Sequence, residues 1–522
     1  MSYIAFYVLL ILHIAVSVTD AFTSSSGKAN DEWTGWGGSL YNNRASSSEY
    51  VSSSTMKNVT VHCQIPHVGG VSATPTISNG VAFYPTWGGT FVALDYDKCQ
   101  VKWEINVTAI IVNFKQPTPF QLALTTVPFI AGLFASRTSP QIDKQTNVLY
   151  FATQLNALVV AVDVDTGALL GFTQINPHPG AVATLSPTLY ENILYAGVAS
   201  AEELAAGSVP GYKCCSFVGN AVALKFDRHT GRFKTVWNLS MLPTGSSTGK
   251  YSNGSDWSGV GVWGSQPAID PVRRRVFFAT GNVYTAPEAF LNCTDDRFSP
   301  TTAQNTSCLP PRVWQNAVLA VDLLTGKVAW VKRFGPLDVW VLACGIGGVV
   351  TDLVSCPGTP GPDYDFGMAP TFVPGEGKNS KDVLTIGQKS GYLYSLAADT
   401  GEIQWATATS PGGVVGGLSW GIATDDRRVY FTGINSGTKP WTLQPGNNTV
   451  VNNSVWGAAS LTDGKLLWET PGSGKVLLEY PLKGTFRGGV AVQDRYVLFG
   501  TGYKGLDGFL YVLKVSPVFG PR

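Results

Sequence analysis

Side chains that could bind a metal ion or transfer protons stand in a few short segments of this 522-residue sequence. The acidic pair Glu202-Glu203 and the amide of Asn282, in a Thr-Gly-Asn segment, are of the types that ligate Ca²⁺ through oxygen. Lys389, in a Gln-Lys-Ser-Gly turn, could stabilise negative charge, and Asp338 could accept a proton. Each also has a plainer interpretation, because charged side chains are usually solvated and Asn and Asp are common turn residues.

Two further features could face a cofactor. Trp263 offers a flat apolar surface for stacking, although a packing role is slightly favoured in a chain with 15 Trp residues. The adjacent residues Cys214 and Cys215 could close a strained ring, but pairing with two separate cysteines is geometrically easier.

The cysteines form an even set of eight, which predicts disulfides in an oxidising compartment. Spacing favours Cys293 with Cys308 and Cys344 with Cys356, and this leaves Cys63 with Cys99 beside the adjacent pair. No Cys-x-x-Cys-His segment occurs, so covalent c-type haem is excluded.

A recurring hairpin positions these segments. Ala320 to Trp330 reads as an alternating strand, an Asp-to-Gly turn and a second strand that ends in Trp. Ser395 to Trp405 and Ala459 to Trp468 repeat it, and degenerate copies occur at Ala161 to Gly171, Ala223 to Trp237 and Ala93 to Trp103. Such repetition predicts an all-β propeller.

Seven repeat units are recognisable, beginning near Ala73, Ser139, Ser186, Gln266, Ala369, Gly421 and Gly488. We expect about seven four-stranded blades, with an eighth if a degenerate blade lies in Asn106 to Arg137. The last unit lacks its Trp strand, and the segment Val59 to Gln64 is placed to supply it and close the ring. Long insertions at Ser200 to Gly219, Tyr284 to Trp314 and Leu337 to Asp365 are where function is expected.

Composition and the N-terminus indicate a secreted protein. A net charge of +1 argues against a nucleic-acid partner. The apolar run Ile4 to Val18 predicts a cleavable signal peptide, with no membrane attachment after cleavage. We divide the chain into a signal peptide (residues 1–21), a lead-in segment (residues 22–56) and the propeller (residues 57–522). Several N-glycosylation sequons fit this route: Asn58, Asn106, Asn238, Asn253, Asn292, Asn305, Asn447 and Asn452.

The order of several motifs resembles the quinoprotein dehydrogenase superfamily, and especially its secreted polyvinyl-alcohol-dehydrogenase-like proteins. These motifs are the hairpin repeat, Trp36-Gly37-Gly38 with Asn43-Arg44, Val262 to Pro267, Ala279 to Asn282, Asp338 to Cys344, Gln388 to Gly391 and Gly416 to Gly421. The resemblance covers nearly the whole mature chain. It implies that pyrroloquinoline quinone and Ca²⁺ bind in the funnel of the propeller.

The resemblance also implies roles for individual residues. Glu202, with Glu203 beside it, and Asn282 would ligate the metal, Trp263 would stack on the quinone and Lys389 would lie near its oxygens. The Cys214-Cys215 pair would cover the quinone. Asp338 would act as the catalytic base, or Asp363 or Asp365 would replace it, because the Asp that follows Trp in the family is Val341 here.

The sequence therefore predicts an oxidoreductase that oxidises a small alcohol or polyol and passes electrons to an external acceptor. The alternative is a non-catalytic secreted propeller that binds a ligand or a protein through its loops. A carbohydrate or polymer binder is a weaker third interpretation.

Overall fold

The fold is a β-propeller of seven sheets around a central channel, as the repeats predicted. The computed structural model describes residues 32–127, 132–243, 256–291, 309–346, 355–356, 358, 360–375, 381–446, 448–470, 482–486, 488–503 and 507–516. The predicted signal peptide lies outside the described residues. Along the described chain, no helix has both the length and the apolar character needed to cross a membrane.

In blades 1 to 6 the four strands run from the channel outwards in sequence order. Blade 1 comprises Thr76–Ser78, Val81–Pro85, Thr90–Asp95 and Gln100–Asn106. Blade 2 comprises Gln141–Asp143, Val148–Ala152, Leu158–Asp163 and Leu169–Gln174. Blade 3 comprises Thr188–Tyr190, Ile193–Ser200, Asn220–Asp227 and Arg232–Ser240. Blade 4 comprises Ala268–Asp270, Arg275–Ala279, Ala317–Asp322 and Val328–Arg333. Blade 5 comprises Thr371–Val373, Val383–Gly387, Tyr392–Ala397 and Ile403–Ala408. Blade 6 comprises Ala423–Thr424, Arg428–Gly433, Val455–Ser460 and Leu466–Thr470.

Blade 7 is closed by the N-terminal side of the chain. Its strands Val490–Gln493, Tyr496–Gly500 and Gly508–Val515 are joined by Val59–His67, which pairs antiparallel with Gly508–Val515. This pairing removes the exposed edge that an open ring would leave.

Short elements complete the described chain. The short strands are Glu32–Trp33, which pairs with blade 1, Ala181–Val182, which pairs with the end of Ile193–Ser200, and the hairpins Ser258–Gly259 with Val283–Thr285 and Trp441–Thr442 with Val450–Val451. The helices are Val107–Phe114, Pro119–Thr125, Glu202–Ala205 and Glu288–Leu291, with 3₁₀ turns at Met56–Asn58 and Leu342–Cys344.

The region considered for an eighth blade is largely helical where the structure describes it. Asn106 caps the helix Val107–Phe114 by accepting from the Ala109 N–H at 2.8 Å. Thr118 and Gln121 form a capping box on Pro119–Thr125. These local signals start helices, so the segment does not form a degenerate blade.

The repeat builds hairpins and joins neighbouring blades. Asp322 Oδ1 accepts from the Thr325 N–H at 2.8 Å and its hydroxyl at 2.7 Å, which closes the turn, and Gly326 takes φ +68°. Trp330 packs on the matching glycine of the next blade, since a Cβ on Gly401 would lie 2.5 Å from its ring. The repeated Asp, Gly and Trp therefore form the scaffold.

Three disulfides lie within the described residues. Cys63–Cys99 and Cys344–Cys356 pair as spacing predicted. Cys214 and Cys215 are bonded to each other across a cis peptide bond, so the expectation that separate pairings are easier was wrong. The predicted Cys293–Cys308 pair lies outside the described residues.

Candidate functional site

The ends of three blade strands bring the candidate residues to one face of the ring. Glu202-Glu203, Asn282 and Lys389 follow the second strands of blades 3, 4 and 5, which are Ile193–Ser200, Arg275–Ala279 and Val383–Gly387. Because the blades are alike, their second strands all end at the same face. Asp338, Asp363 and Asp365 come from the insertion between blades 4 and 5.

Lys389 lies at the centre of a buried charge cluster. Its Nζ is 3.1 and 3.0 Å from the two carboxylate oxygens of Asp363 and 2.6 Å from Asp365 Oδ1. The Trp263 indole N–H donates to Asp365 Oδ2 at 2.8 Å, and Lys389 Nζ lies 5.4 Å from the centre of that ring. Asp363 and Asp365 are only 1% and 2% exposed. The insertion thus supplies the two carboxylates that meet the lysine.

The titration of the cluster follows from burial and from the surplus of carboxylates. Burial acts to lower the pKa of Lys389, but the carboxylates of Asp363, Asp365 and Glu203 outweigh it and hold the pKa above the ordinary lysine value. Burial raises the pKa of Asp363 well above its ordinary value, although Lys389 opposes the shift. The lysine therefore stays protonated, while one ammonium group cannot neutralise all the carboxylates around it.

Glu203 faces this cluster. Burial raises its pKa to about 7, with Lys389 opposing the shift and Asp365 adding to it. The Tyr284 hydroxyl bonds to the same carboxylate, and burial, followed by the charge of Glu203, raises the pKa of Tyr284. Glu203 is thus the member of the acidic pair that joins the Lys389 cluster electrostatically.

Glu202 instead ties its helix to the segment after the cysteine pair. Its carboxylate accepts from the Ser216 and Phe217 backbone N–H groups, both at 2.7 Å, and from the Tyr212 hydroxyl. The side chain is fully buried. Glu202 was the predicted metal ligand, and in this structure both of its oxygens are occupied by protein donors.

His178 and Ser216 extend this network without forming a hydrolytic centre. The Gly180 N–H donates to His178 Nδ1 at 3.0 Å, so the ring proton lies on Nε2 and points to the Ser216 hydroxyl at 2.8 Å. Ser216 in turn donates to Glu202 at 3.4 Å. A nucleophilic serine needs a histidine that accepts its proton, and here the histidine donates.

Asp338, the predicted base, anchors the loop that carries the other two aspartates. Its carboxylate accepts from Asn316 Nδ2 at 2.7 Å and from the backbone N–H groups of Asp363 and Tyr364 at 2.9 and 2.7 Å. Burial raises its pKa, although these bonds oppose the shift. Asp338 therefore fixes Asp363 from behind.

Asn282 lies beside the cluster, at the predicted turn. Its Nδ2 donates to the Trp340 carbonyl at 2.8 Å, so Oδ1 is the atom left to accept or ligate. A Cβ on the preceding Gly281 would lie 2.8 Å from Asp365 Oδ2 and 3.3 Å from Trp263 Nε1. The glycine therefore allows this turn to approach Asp365 and Trp263 closely.

The bonded pair Cys214–Cys215 is buried near the same region. It belongs to an apolar cluster that also contains Tyr284 and Trp340. Phe217, just after the pair, lies 6.3 Å from Tyr284 in a stacked arrangement. The pair thus packs with residues that flank Glu203 and Asn282.

A second aromatic residue and two arginines lie beyond Trp263. Trp420 lies 5.4 Å from Trp263, edge to face, and the Arg137 guanidinium lies 5.0 Å from the Trp420 ring. Arg44 donates to the Trp420 carbonyl and lies over Trp36. Burial lowers the pKa of Arg44 to about 10 and also lowers that of Arg137. Neither arginine has an ion-pair partner in the described part of the chain.

These features fit an anionic planar quinone. Arg44 and Arg137 are partly buried and have no carboxylate partner among the described residues, so they would attract its negative charge, and Trp263 and Trp420 offer flat surfaces beside them. Arg44 Nε is buried without a hydrogen-bond partner, as an atom awaiting an acceptor would be.

The oxygen donors near Lys389 also suit a hard cation. Asp365 Oδ1 is buried and has the Lys389 ammonium, at 2.6 Å, as its partner. With Glu203 and Asn282 it offers the carboxylate and amide oxygens that Ca²⁺ prefers. Elsewhere in the described ranges, His62, Cys63 and Cys99 converge as a metal site would, but the two cysteines are a disulfide and offer no thiolate.

An open cleft adjoins the cluster on the same face. It has a volume of about 550 Å³, and Trp340 and Tyr364 line it together with the Pro411–Gly416 loop and Ile434. Tyr364 lies between Asp363 and Asp365 in sequence and is the lining residue nearest in the chain to the two aspartates of the cluster. Most of its lining is glycine, proline and aliphatic, which suits an uncharged substrate.

The structure brings together Trp263, Asn282 and Lys389 and places Cys214–Cys215 nearby. Glu202 and Asp338 instead bond to the backbone of the segments that surround these residues. Sequence reasoning passed over Glu203 as a mere neighbour and gave no role to Tyr284, Arg137, Arg44 or Trp420. Arg44 and Trp420 stand in motifs that carried the resemblance, and this was the available signal. Arg137 had none.

Two curated proteins are similar to this chain in sequence. The polyvinylalcohol dehydrogenases of Pseudomonas sp. and of Sphingopyxis sp. (strain 113P3) are each 26% identical to this chain, over 413 and 409 residues. The match covers 77% of this chain and 54% of each relative, so the chain spans about half the length of these proteins. No family model matches.

Solved structures show the same fold at low identity. A europium-containing methanol dehydrogenase aligns with a TM-score of 0.61 at 13% identity, over 93% of this chain and 98% of that one. A quinohemoprotein alcohol dehydrogenase from Comamonas testosteroni aligns with a TM-score of 0.59 at 14% identity, over 95% and 82% of the two chains. The resemblance and fold class predicted from sequence are thus confirmed.

Proposed function

We propose that this protein is a secreted quinoprotein oxidoreductase that oxidises an alcohol or polyol in the pocket between Trp263, Lys389 and Trp420. The single observation that carries the proposal is that Trp263 and Trp420 connect a buried lysine–carboxylate cluster to two partly buried arginines, which have no ion-pair partner among the described residues. The polyvinylalcohol dehydrogenases among its relatives support this class of reaction and substrate.

Each side chain has a task that its position supports. Arg137 and Arg44 would hold the anionic groups of pyrroloquinoline quinone, and Trp263 would stack on it. Lys389 would hydrogen-bond an oxygen of the quinone, which supplies a two-electron acceptor when bound. The Cys214–Cys215 pair would cover the ring from the Tyr284 side.

The catalytic base would be Asp363. It is buried, its pKa is raised by burial, and Asp338 fixes its backbone from behind. Such a carboxylate is suited to take a hydroxyl proton, and Lys389 would stabilise the charge that it otherwise carries. Asp338 would then act as the positioning residue in place of the predicted base.

Glu203, Asn282 and Asp365 would ligate the cation, with Glu203 in the role first given to Glu202. The Pro411–Gly416 cleft would admit the alcohol. Because no haem attachment motif occurs in the sequence, electrons would pass to an external acceptor.

Reconstitution tests the proposal. The purified protein is incubated with pyrroloquinoline quinone and either Ca²⁺ or Eu³⁺, quinone binding is followed by tryptophan fluorescence, and dye reduction is assayed with simple alcohols and polyols. Asp363→Asn should reduce turnover at least about a hundredfold with quinone affinity nearly unchanged. Absence of quinone binding under both metals would refute the proposal.

A non-catalytic binding propeller is the second candidate. One observation favours it, namely that Asp338 is fully engaged by its loop and Val341 fills the position after Trp340. Quinone binding without dye reduction, unaffected by Asp363→Asn, would select this candidate.

A further inference from the structure

Residues 32–44 of the lead-in segment lie against the innermost strands of several blades. Its backbone carbonyls at Leu40, Tyr41 and Asn43 accept from Ile269, Phe372 and Thr424, which belong to blades 4, 5 and 6, at 2.9, 3.0 and 3.0 Å. Glu32–Trp33 pairs with the inner strand of blade 1. Because these residues bond to the inner strands of four blades, they lie at the channel side of the ring.

From this position the segment reaches Trp420. The Trp36 indole N–H donates to the Trp420 carbonyl at 3.2 Å, and Arg44 donates to the same oxygen. The Trp420 N–H donates to the Gly367 carbonyl at 3.1 Å. Long-range hydrogen bonds therefore hold both of the peptide groups that flank the Trp420 Cα.

Trp420 needs this support because its backbone is strained. Its φ is +73°, in the left-handed region that bulky side chains seldom adopt. Such a conformation persists only when the surroundings enforce it, and it occurs most often at ligand sites. The indole that results is 38% exposed, although protein surrounds it on the Trp263 and Arg137 sides.

The next residue confirms that the space is made for Arg44. A Cβ on Gly421 would lie 2.1 Å from Arg44 Nη2 and 2.4 Å from Cζ. Only glycine at this position lets the guanidinium reach the Trp420 carbonyl.

We propose that the lead-in segment is a positioning element of the cofactor pocket, in which Trp36 and Arg44 hold Trp420 in its left-handed conformation so that its indole faces Trp263. The identity of the occupant rests on the proposed function, whereas the coupling between the segment and Trp420 does not. A merely structural segment would stabilise the ring of blades as a whole without a specific effect on Trp420.

The test compares Trp36→Phe and Arg44→Met with Arg495→Met in the full chain. Arg495 stacks on Tyr50 of the same segment at 3.9 Å and serves as the matched control. Hydrogen exchange of the peptide that contains Trp420 is measured without ligand, and the Kd for pyrroloquinoline quinone is measured by fluorescence. Both test variants should accelerate exchange and weaken quinone binding at least about tenfold, which corresponds to the loss of one charge-assisted or buried bond.

Further variants separate positioning from general destabilisation. Arg44→Lys keeps a donor and should restore most of the affinity. Trp420→Gly removes the backbone strain, so adding Arg44→Met to it should change local exchange less than about twofold. Unchanged local exchange in Trp36→Phe, the milder variant, would overturn the inference. A wild-type protein that fails to bind quinone would refute the proposed function alone, because the exchange measurement needs no ligand.

Discussion

Replacing Glu203 by Gln should make the ligand-free protein more stable above neutral pH. Burial raises the pKa of Glu203 to about 7 from an ordinary 4.5. A carboxylic acid whose pKa is raised by folding contributes its full stability at a pH below its pKa in the unfolded chain. That contribution is lost as the pH rises through its pKa in the folded protein. Gln does not titrate, so wild type and variant should be equally stable near pH 4 and should diverge between pH 4.5 and 7.

The expected size follows from the same pKa. At about 1.4 kcal/mol per pH unit, the difference should level off at about 3 kcal/mol in favour of Glu203→Gln above pH 8. Urea unfolding between pH 4 and 9, with a chelator present, measures it. A difference that does not change with pH, or that grows in favour of wild type as pH rises, would refute the placement of Glu203 in the Lys389 cluster.

The neighbouring residue provides a control with the opposite sign. Glu202 accepts two backbone N–H groups at 2.7 Å, and the amide of Gln would set an NH₂ group against one of them. Glu202→Gln should therefore destabilise the protein by about 2–4 kcal/mol. Added Ca²⁺ should stabilise wild type more than Glu203→Gln, because a cation would relieve the surplus charge.

Substitutions of Lys389 test the charge cluster, and substitutions of two glycines test the scaffold. Lys389→Met should cost about 3–5 kcal/mol in urea unfolding at pH 8, because it leaves the Asp363 carboxylate buried without its cation, and Lys389→Arg should cost less; equal costs would contradict a charge role. Gly401→Ala, whose Cβ would lie 2.5 Å from Trp330, should cost about 3 kcal/mol or more, whereas Gly80→Ala, with φ +77° and nothing within 4 Å, should cost about 1–2 kcal/mol. Equal thermal shifts for the two glycine variants would show that contact with Trp330 is not the reason why position 401 requires glycine.

The scaffold could be predicted because its determinants are local. The Asp322 carboxylate closes its turn by bonding to Thr325, three residues further on, and Asp163 and Asp227 bond in the same way to Thr166 and Thr230 in blades 2 and 3. The Trp that follows reaches only the next blade, one repeat further on. Repetition of so short a pattern identifies both the hairpins and their number.

The site could be predicted only in part, because its geometry depends on distant segments. Trp263, Asn282 and Lys389 directly follow or precede blade strands, so the repeat fixes their place. The choice between Glu202 and Glu203 depends on a four-residue helix whose orientation is set by Ser216 and Phe217. Spacing along the chain does not encode that orientation.

The choice of base is decided in the same way. Asp338 and Asp363 are 25 residues apart, and the bond from the Asp363 N–H to the Asp338 carboxylate folds the insertion back on itself. This bond occupies the Asp338 carboxylate and leaves the Asp363 carboxylate to pair with Lys389. Asp338, which stands in a family-like motif, thereby supports the loop, and Asp363, at the other end of the insertion, is the reactive candidate. The absent carboxylate at Val341 is therefore no obstacle to acid–base chemistry, since Asp363 and Asp365 bring two carboxylates to Lys389 from the other end of the same insertion.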